Sequence, residues 1–327
     1  MHKLLNLLIL TLFTTSIYAG DFNVGMILDK AGKDDQSFNA SAYRGAIRAE
    51  QELGVKVKTV EARDAASAES LMRALAGKKF DLLIAVGFSH AGAVANVSRG
   101  FADRRFVLID SEVKRPNVTS VMFAEHEGSY LVGAMAAMAS KSGTVGFIGG
   151  MDIPLIRRFA MGYEAGVKSI NPKAKVETAY IGVTGDAFNN PPKAKELAIL
   201  QHGAGADVIY HAAGASGAGL FDAAEEKKFL AIGVDSNQNG VKPGRVLTSM
   251  VKSVDVAVFE TIKASKAGVL KGGETVFHGF STGGIDMAMD QNNKALFTPA
   301  MLKKSDQIKA DIKSGKVKVP DYYLLKK

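Results

Sequence analysis

The sequence has no cysteine and no tryptophan. Without cysteine there is no disulfide, no thiolate metal site and no thiol nucleophile. The acylated N-terminal Cys of a lipoprotein is missing as well, so the chain is expected not to be a lipoprotein. The six histidines lack a metal-ligand spacing such as His-x-x-x-His, and His126, set between Glu125 and Glu127, reads as a surface residue. No Ser–His–Asp order and no paired carboxylates with an acid/base logic are found. The chain is therefore expected not to be an enzyme and to need no cofactor and no metal. Aromatics are not interleaved with arginine, which excludes a nucleic-acid face. The net charge of +8 then reads as solubility and long-range attraction to anionic surfaces. Proline is scarce, 8 residues against 34 glycines. With no Pro-rich or Ser-rich linker, this argues for many tight strand–helix turns in lobes joined by crossing strands, not for beads on a string.

What is present begins with a basic Lys3, an apolar stretch from Leu4 to Phe13 and small or polar residues up to Ala19. This is the layout of a secretory signal peptide cut after Ala19, with Ile17 less ideal than Ala in its third position before the cut. Strand-like and helix-like segments then alternate. Apolar runs at 22–28, 55–61, 82–86, 106–109 and 118–123 are separated by helical patterns at 38–53, 66–76 and 90–101. The pattern begins again with strands at 144–148, 176–181, 208–212 and 230–234 between helices at 127–139, 153–169, 192–202 and 218–227. Continuous apolar strands between amphipathic helices predict parallel sheets covered on both faces. The remaining strands (246–251, 277–280, 285–289), helices (254–267, 299–314) and a last extended piece at 320–325 are too few for a third core and must join the first two.

The candidate site is read from strand ends, where open α/β sheets bind their ligands. The loop Gly32–Gly45 follows the first strand and offers Asp35, Ser37 and Asn39 around Phe38. It is either a capped helix start with Phe38 as a hydrophobic staple or a ring beside hydrogen-bonding groups for a flat, polar-edged ligand. Asp110 and Asp235 each end a buried strand, as Asp35 follows one. A carboxylate at such a place can accept from two neighbouring hydroxyls of a sugar diol, or simply cap the next helix. The loop Gly185–Asn190 repeats the opening theme around Phe188, which either packs over Pro191-Pro192 or faces Phe38 to sandwich a ring. The third strand ends in Gly87. The run Ala213–Gly219 lets backbone amides approach a ligand, its spacing not being the dinucleotide fingerprint. Lys252 ends a strand and either donates to a ligand or pairs with Asp235 or Asp255.

Four ordered motifs, Asp35–Asn39, Gly149–Phe159, Ala212–Gly219 and Gly233–Gln238, resemble the basic membrane protein family of ABC-transporter substrate-binding proteins, which includes purine nucleoside receptors. The resemblance covers the mature chain. It implies a type I periplasmic-binding fold, with two Rossmann-like lobes and three crossovers: residues 20–123 with about 252–280 in lobe I, and 124–251 with about 281–327 in lobe II. It implies that Phe38 and Phe188 stack a purine, that Ser37, Asn39, Asp110 and Lys252 hold polar edges of the nucleoside, and that Asp235 with the Gly214 turn holds the ribose. The implied partners are the nucleoside, an ABC permease in direct contact and its ATPase; the chain itself is expected to be a monomer exported in soluble form to a periplasm. Other readings remain open from the residues alone: a binding protein for a sugar or a signalling molecule that feeds a sensor, an enzyme using a nucleoside or nucleotide, and an adhesin on the same fold.

Overall fold

The apolar runs become strands and the amphipathic stretches between them become helices. The computed structural model describes residues 21–78 and 80–325; the expected signal peptide, Met1–Ala19, lies outside the described residues. In chain order the elements are β1 (Asn23–Leu28), α1 (Phe38–Leu53), β2 (Lys56–Glu61), α2 (Ala65–Gly77), β3 (Leu82–Val86), α3 (Ala91–Gly100), β4 (Arg105–Ile109) and β5 (Val118–Phe123). Then follow α4 (Glu125–Ala139), β6 (Thr144–Met151), α5 (Pro154–Ile170), β7 (Lys175–Gly182), α6 (Pro191–Gly203), β8 (Val208–Ala212), α7 (Gly217–Lys227) and β9 (Leu230–Asp235). The last set is β10 (Val246–Lys252), α8 (Val254–Lys266), β11 (Thr275–His278), β12 (Ile285–Met287) and α9 (Pro299–Lys313).

These strands form two six-stranded sheets, ordered β11-β5-β4-β3-β1-β2 and β12-β10-β9-β8-β6-β7. All pairings are parallel except β10 with β12. The chain passes from the first sheet to the second after β5, returns for β11 and leaves again for β12. This is the type I periplasmic-binding architecture. The central strands β3, β5 and β8 are buried along their whole length, as expected of strands covered on both faces. The outer strands β2 and β7 carry Lys56, Lys58, Glu61, Lys175 and Glu177 and stay partly exposed, which blunts both sheet edges against further pairing.

Small residues set how closely the helices between sheets approach. A methyl group on Gly133 of α4 would lie 2.2 Å from the Tyr163 carbonyl oxygen, and one on Gly162 of α5 would lie 2.3 Å from that of His126. The small-residue character of α4 is thus the condition for its close packing on α5. Two terminal expectations are corrected. The strand predicted at 277–280 runs from Thr275 to His278, with Phe280 in a short 3-10 turn. The piece predicted as extended at 320–325 holds a 3-10 turn at Tyr322–Leu324, because the Asp321 carboxylate accepts from the Tyr323 amide at 3.0 Å and folds the chain back.

Candidate functional site

The carboxyl ends of the two sheets meet across one cavity. Its first wall is the loop after β1. Asp35 shapes that loop, since its carboxylate accepts from the amides of Ser37 (2.8 Å), Asn39 (2.9 Å) and Ala40 (2.9 Å) and so caps α1. The Asn39 side-chain amide donates to Asp35 and to Asp29. This holds Phe38, the first residue of α1, half-buried at the cavity rather than in a local staple. Ser37 does not reach the cavity. It is fully buried, and its hydroxyl donates 2.7 Å to Asp235 in the other half of the molecule.

Phe188 enters from the second half. It lies in the 3-10 turn Gly185–Phe188 after β7. The place it occupies depends on two glycines: a methyl on Gly150 would lie 2.4 Å from its ring, and one on Gly214, at φ +54°, would lie 3.2 Å from its carbonyl oxygen. Phe38 and Phe188 line the same cavity. The second loop follows a strand and precedes a helix as expected, but the two loops do not hold equivalent places in their sheets. In sheet order β6 is the counterpart of β1 and β7 that of β2, so Phe188 follows an outer strand and Phe38 an inner one. The glycine run is also read differently. Gly214 lines the cavity, but a methyl on Gly217 would lie 2.1 Å from the His211 ring and one on Gly219 1.9 Å from the Pro191 carbonyl oxygen. Those two glycines serve packing of α7, not approach to a ligand.

The same cavity is lined by a buried charge cluster. Asp110 and Asp235 close β4 and β9, equivalent strands of the two sheets, and both hold left-handed backbone conformations, φ +67° and +63°. Lys252, 2% exposed at the end of β10, donates 2.5 Å to Asp110 and lies 3.6 Å from Asp235 and 3.9 Å from Glu125. The nearest carboxylate is thus Asp110, on the opposite sheet, while the expected pairing with Asp235 is present as a longer contact. Lys252 also sits over the Phe38 ring at 4.6 Å, with Phe123 and Phe159 at 5.4 and 5.5 Å. Burial alone would push the ammonium pKa down, but Asp110, Asp235 and Glu125 outweigh it and hold the group charged. Burial pushes the Asp235 carboxyl up, against the lowering pull of Lys252 and Ser37. One oxygen of Asp110, Oδ1, is buried with no hydrogen-bond partner among the described residues. Gly87 follows β3 beside Phe38, and its φ of +114° rather than any crowding of the ring is what calls for glycine.

Of the ten residues expected at the site, all but Ser37 line this cavity. Nine further residues line it that were not among the expected ones, and a carboxylate and two rings stand out among them. Asp29 directly follows β1, as Asp110 follows β4, so the strand-end rule that found Asp110 also points to it; burial raises its carboxyl to about 6. Phe88 packs edge-on to Phe188 at 5.9 Å. Phe159 lies within a motif already singled out. His126 is corrected as well: it is not a surface residue, because its Nδ1 lies 3.0 Å from Arg158, and Arg158 is itself buried against Glu125. Local spacing gives no sign of burial at a passage between sheets.

Comparison with known proteins agrees with this geometry. A family model described as ABC transporter substrate-binding protein, PnrA-like (Bmp), matches residues 22–322. The ABC transporter nucleoside-binding protein BmpA of Lactococcus lactis is 33% identical over 322 residues, covering 92% of this chain and 89% of that one. An uncharacterized lipoprotein of Pyrococcus horikoshii is 37% identical over 266 residues, covering 76% and 65%. The crystal structure of an ABC transporter solute-binding protein from Aeropyrum pernix K1 matches with a TM-score of 0.84 at 28% identity, covering 91% of this chain and 94% of its own. The expectation that the chain is not a lipoprotein is overturned by these relatives. Those from Pyrococcus are named lipoproteins, which conflicts with it, while a periplasmic or extracellular location fits. Two mostly parallel sheets closing on a cavity, together with a family match over nearly all the described residues, place this chain in the Bmp family of PnrA-like ABC transporter substrate-binding proteins, which are binding proteins and not enzymes.

Proposed function

We propose that the ligand is a purine nucleoside, captured as the two halves close and then handed to the permease. The base lies between Phe38 and Phe188, a contact of about 1–3 kcal/mol if it behaves like other base–aromatic stacks. The pentose lies toward Asp110, Asp235, Lys252 and the Gly214 turn. Asp110 Oδ1 accepts from a ligand hydroxyl, Asn39 meets a polar edge, and Ser37 acts from behind the wall by orienting Asp235. Asp35 and Gly87 shape the loops that hold the rings. The observation that carries this reading is the pairing in one cavity of two rings from opposite halves with a carboxylate–ammonium cluster. A flat heterocycle joined to a diol has this division of apolar faces and polar end. The name of the Lactococcus lactis relative points to the same ligand class.

No bond is made or broken. Ligand favours the closed form only through contacts that the open form lacks. A site built for two hydroxyls leaves buried polar groups unpaired when they are missing. Titration calorimetry with inosine, guanosine, adenosine and their free bases tests the reading. Ribonucleosides are expected to bind at least about tenfold more tightly than the bases, and equal affinity would overturn the proposal.

A further inference from the structure

Beyond the inner cavity lies a second chamber of 340 Å³ in the outer part of the same cleft. The two share Asp29, Ala31, Phe88 and Phe188 as common walls. Ala62, just after β2, and Ala65, the first residue of α2, line part of the chamber, and Ser89 and Thr184 line it from opposite halves. Lys30 and Asp186 pair across its rim, again one from each half.

The chemistry of the lining points to an uncharged occupant. His90 is 2% exposed, and burial lowers its pKa to about 4, so the ring is neutral near pH 7. Asp64 is engaged as the cap of α2, accepting from the Ser67 amide at 2.7 Å. Asp29 accepts from the Ala31 amide and the Asn39 side chain. Lys30 and Asp186 neutralise each other. Arg63 adds one cation, and Asp29 and Asp64 add carboxylates held by hydrogen bonds rather than by an ion pair, so both signs of charge face the chamber. The apolar surface comes from two rings and three alanines. A charged group brought here would meet both signs and lose its water, which is costly without a dedicated partner.

Resting on the nucleoside reading above, we infer that the site takes purine nucleosides carrying a bulky, uncharged, ring-bearing substituent on the base, with the substituent seated in this outer chamber. Phe188 lies on the boundary, so a base stacked on it has one edge toward Lys252 and the other toward the chamber.

The test compares adenosine with adenosine carrying a benzyl group on its exocyclic amine, using calorimetry on the whole protein. The wild type is expected to bind both within about tenfold of each other, the span that one apolar group commonly commands. Ser89→Trp and Thr184→Trp each place a large side chain in the chamber, and neither position lines the inner cavity. Both variants are expected to keep adenosine within about twofold and to weaken the benzyl derivative by about tenfold or more, as filling an occupied space does. If the wild type binds adenosine but binds the benzyl derivative more than about a hundredfold less tightly, the chamber does not receive base substituents and the inference fails while the nucleoside reading stands. It also fails if neither tryptophan separates the two ligands. If no nucleoside binds, the underlying reading is overturned and this one with it.

Discussion

Lys252 is the residue on which the two halves converge. It is buried, charged and shared among Asp110, Asp235 and Glu125. Removing one member of a buried ion pair leaves the other uncompensated, at a cost of about 3–5 kcal/mol. Lys252→Met keeps most of the volume against Phe38 and Phe159, so the expected loss is of that size and is read from urea unfolding. A loss below about 1 kcal/mol would show that the carboxylates shed their charge by taking up protons instead. Asp29 makes a separate prediction about pH. Burial raises its carboxyl from 3.8 to about 6. A folded pKa above the unfolded one means that the folded chain binds more protons between those values. The contribution of Asp29 to stability therefore falls as pH rises from about 4 to about 6, and it stays lost above. Asp29→Asn keeps an acceptor for the Ala31 amide and removes this titration. The variant is expected to gain on the wild type as pH rises, read as the difference between their urea midpoints at about pH 4 and about pH 7. A difference that does not change with pH would contradict the assignment.

At the scale of elements, helix propensity and packing make opposite predictions at one glycine. Replacing a mid-helix glycine by alanine gains about 1 kcal/mol in an isolated helix. In α5, however, a methyl on Gly162 would meet the His126 carbonyl oxygen at 2.3 Å, and backbone cannot move aside as a side chain can. Separating α4 from α5 would disturb the first helix beyond the passage between sheets. Gly162→Ala is therefore expected to lower the melting temperature, by an amount matching about 1–3 kcal/mol of overpacking net of propensity. Gly77→Ala, at the end of α2 with open space around the new methyl, is the control and is expected to be neutral or slightly stabilising. The elements themselves were legible in advance. Strands β3, β5 and β8 and helix α1 fall at the predicted residues, since their apolar periodicity is bounded by glycine, aspartate or capping side chains. The terminal segments were less so: 277–280 is short and takes its extent from pairing with β5, and 320–325 is folded back by a single side chain, Asp321.

Over the whole molecule, the C-terminal segment braces the passage between sheets. Arg158 donates to the Phe123 carbonyl at 2.8 Å and to Glu125 at 2.5 Å, where the chain leaves the first sheet. Asp321 holds the other side of the guanidinium at 2.8 and 3.0 Å, and the Tyr323 ring lies over it at 4.5 Å. Asp321→Asn weakens one arm of this clamp and leaves the rest. It is expected to reduce stability by about 1–3 kcal/mol, the range for hydrogen bonds to a charged group, as measured by scanning calorimetry. An unchanged transition would mean that the segment merely rests on α5.

The sequence by itself determined the alternation of strands and helices, the two rounds of α/β structure, and the strand ends from which Phe38, Asp110, Phe188 and Asp235 reach the cavity. Those are local properties, set by side-chain period and by what can follow a buried strand. Tertiary structure alone decided that Lys252 pairs first with Asp110, 142 residues away, that Ser37 turns from the cavity toward Asp235, and that Phe88 joins the wall. It also decided that Phe188 comes from an outer strand and that a second chamber opens beyond it. Charge pairing and burial depend on which strand ends are brought face to face. That is fixed by how two sheets dock, through contacts between residues that no local pattern links.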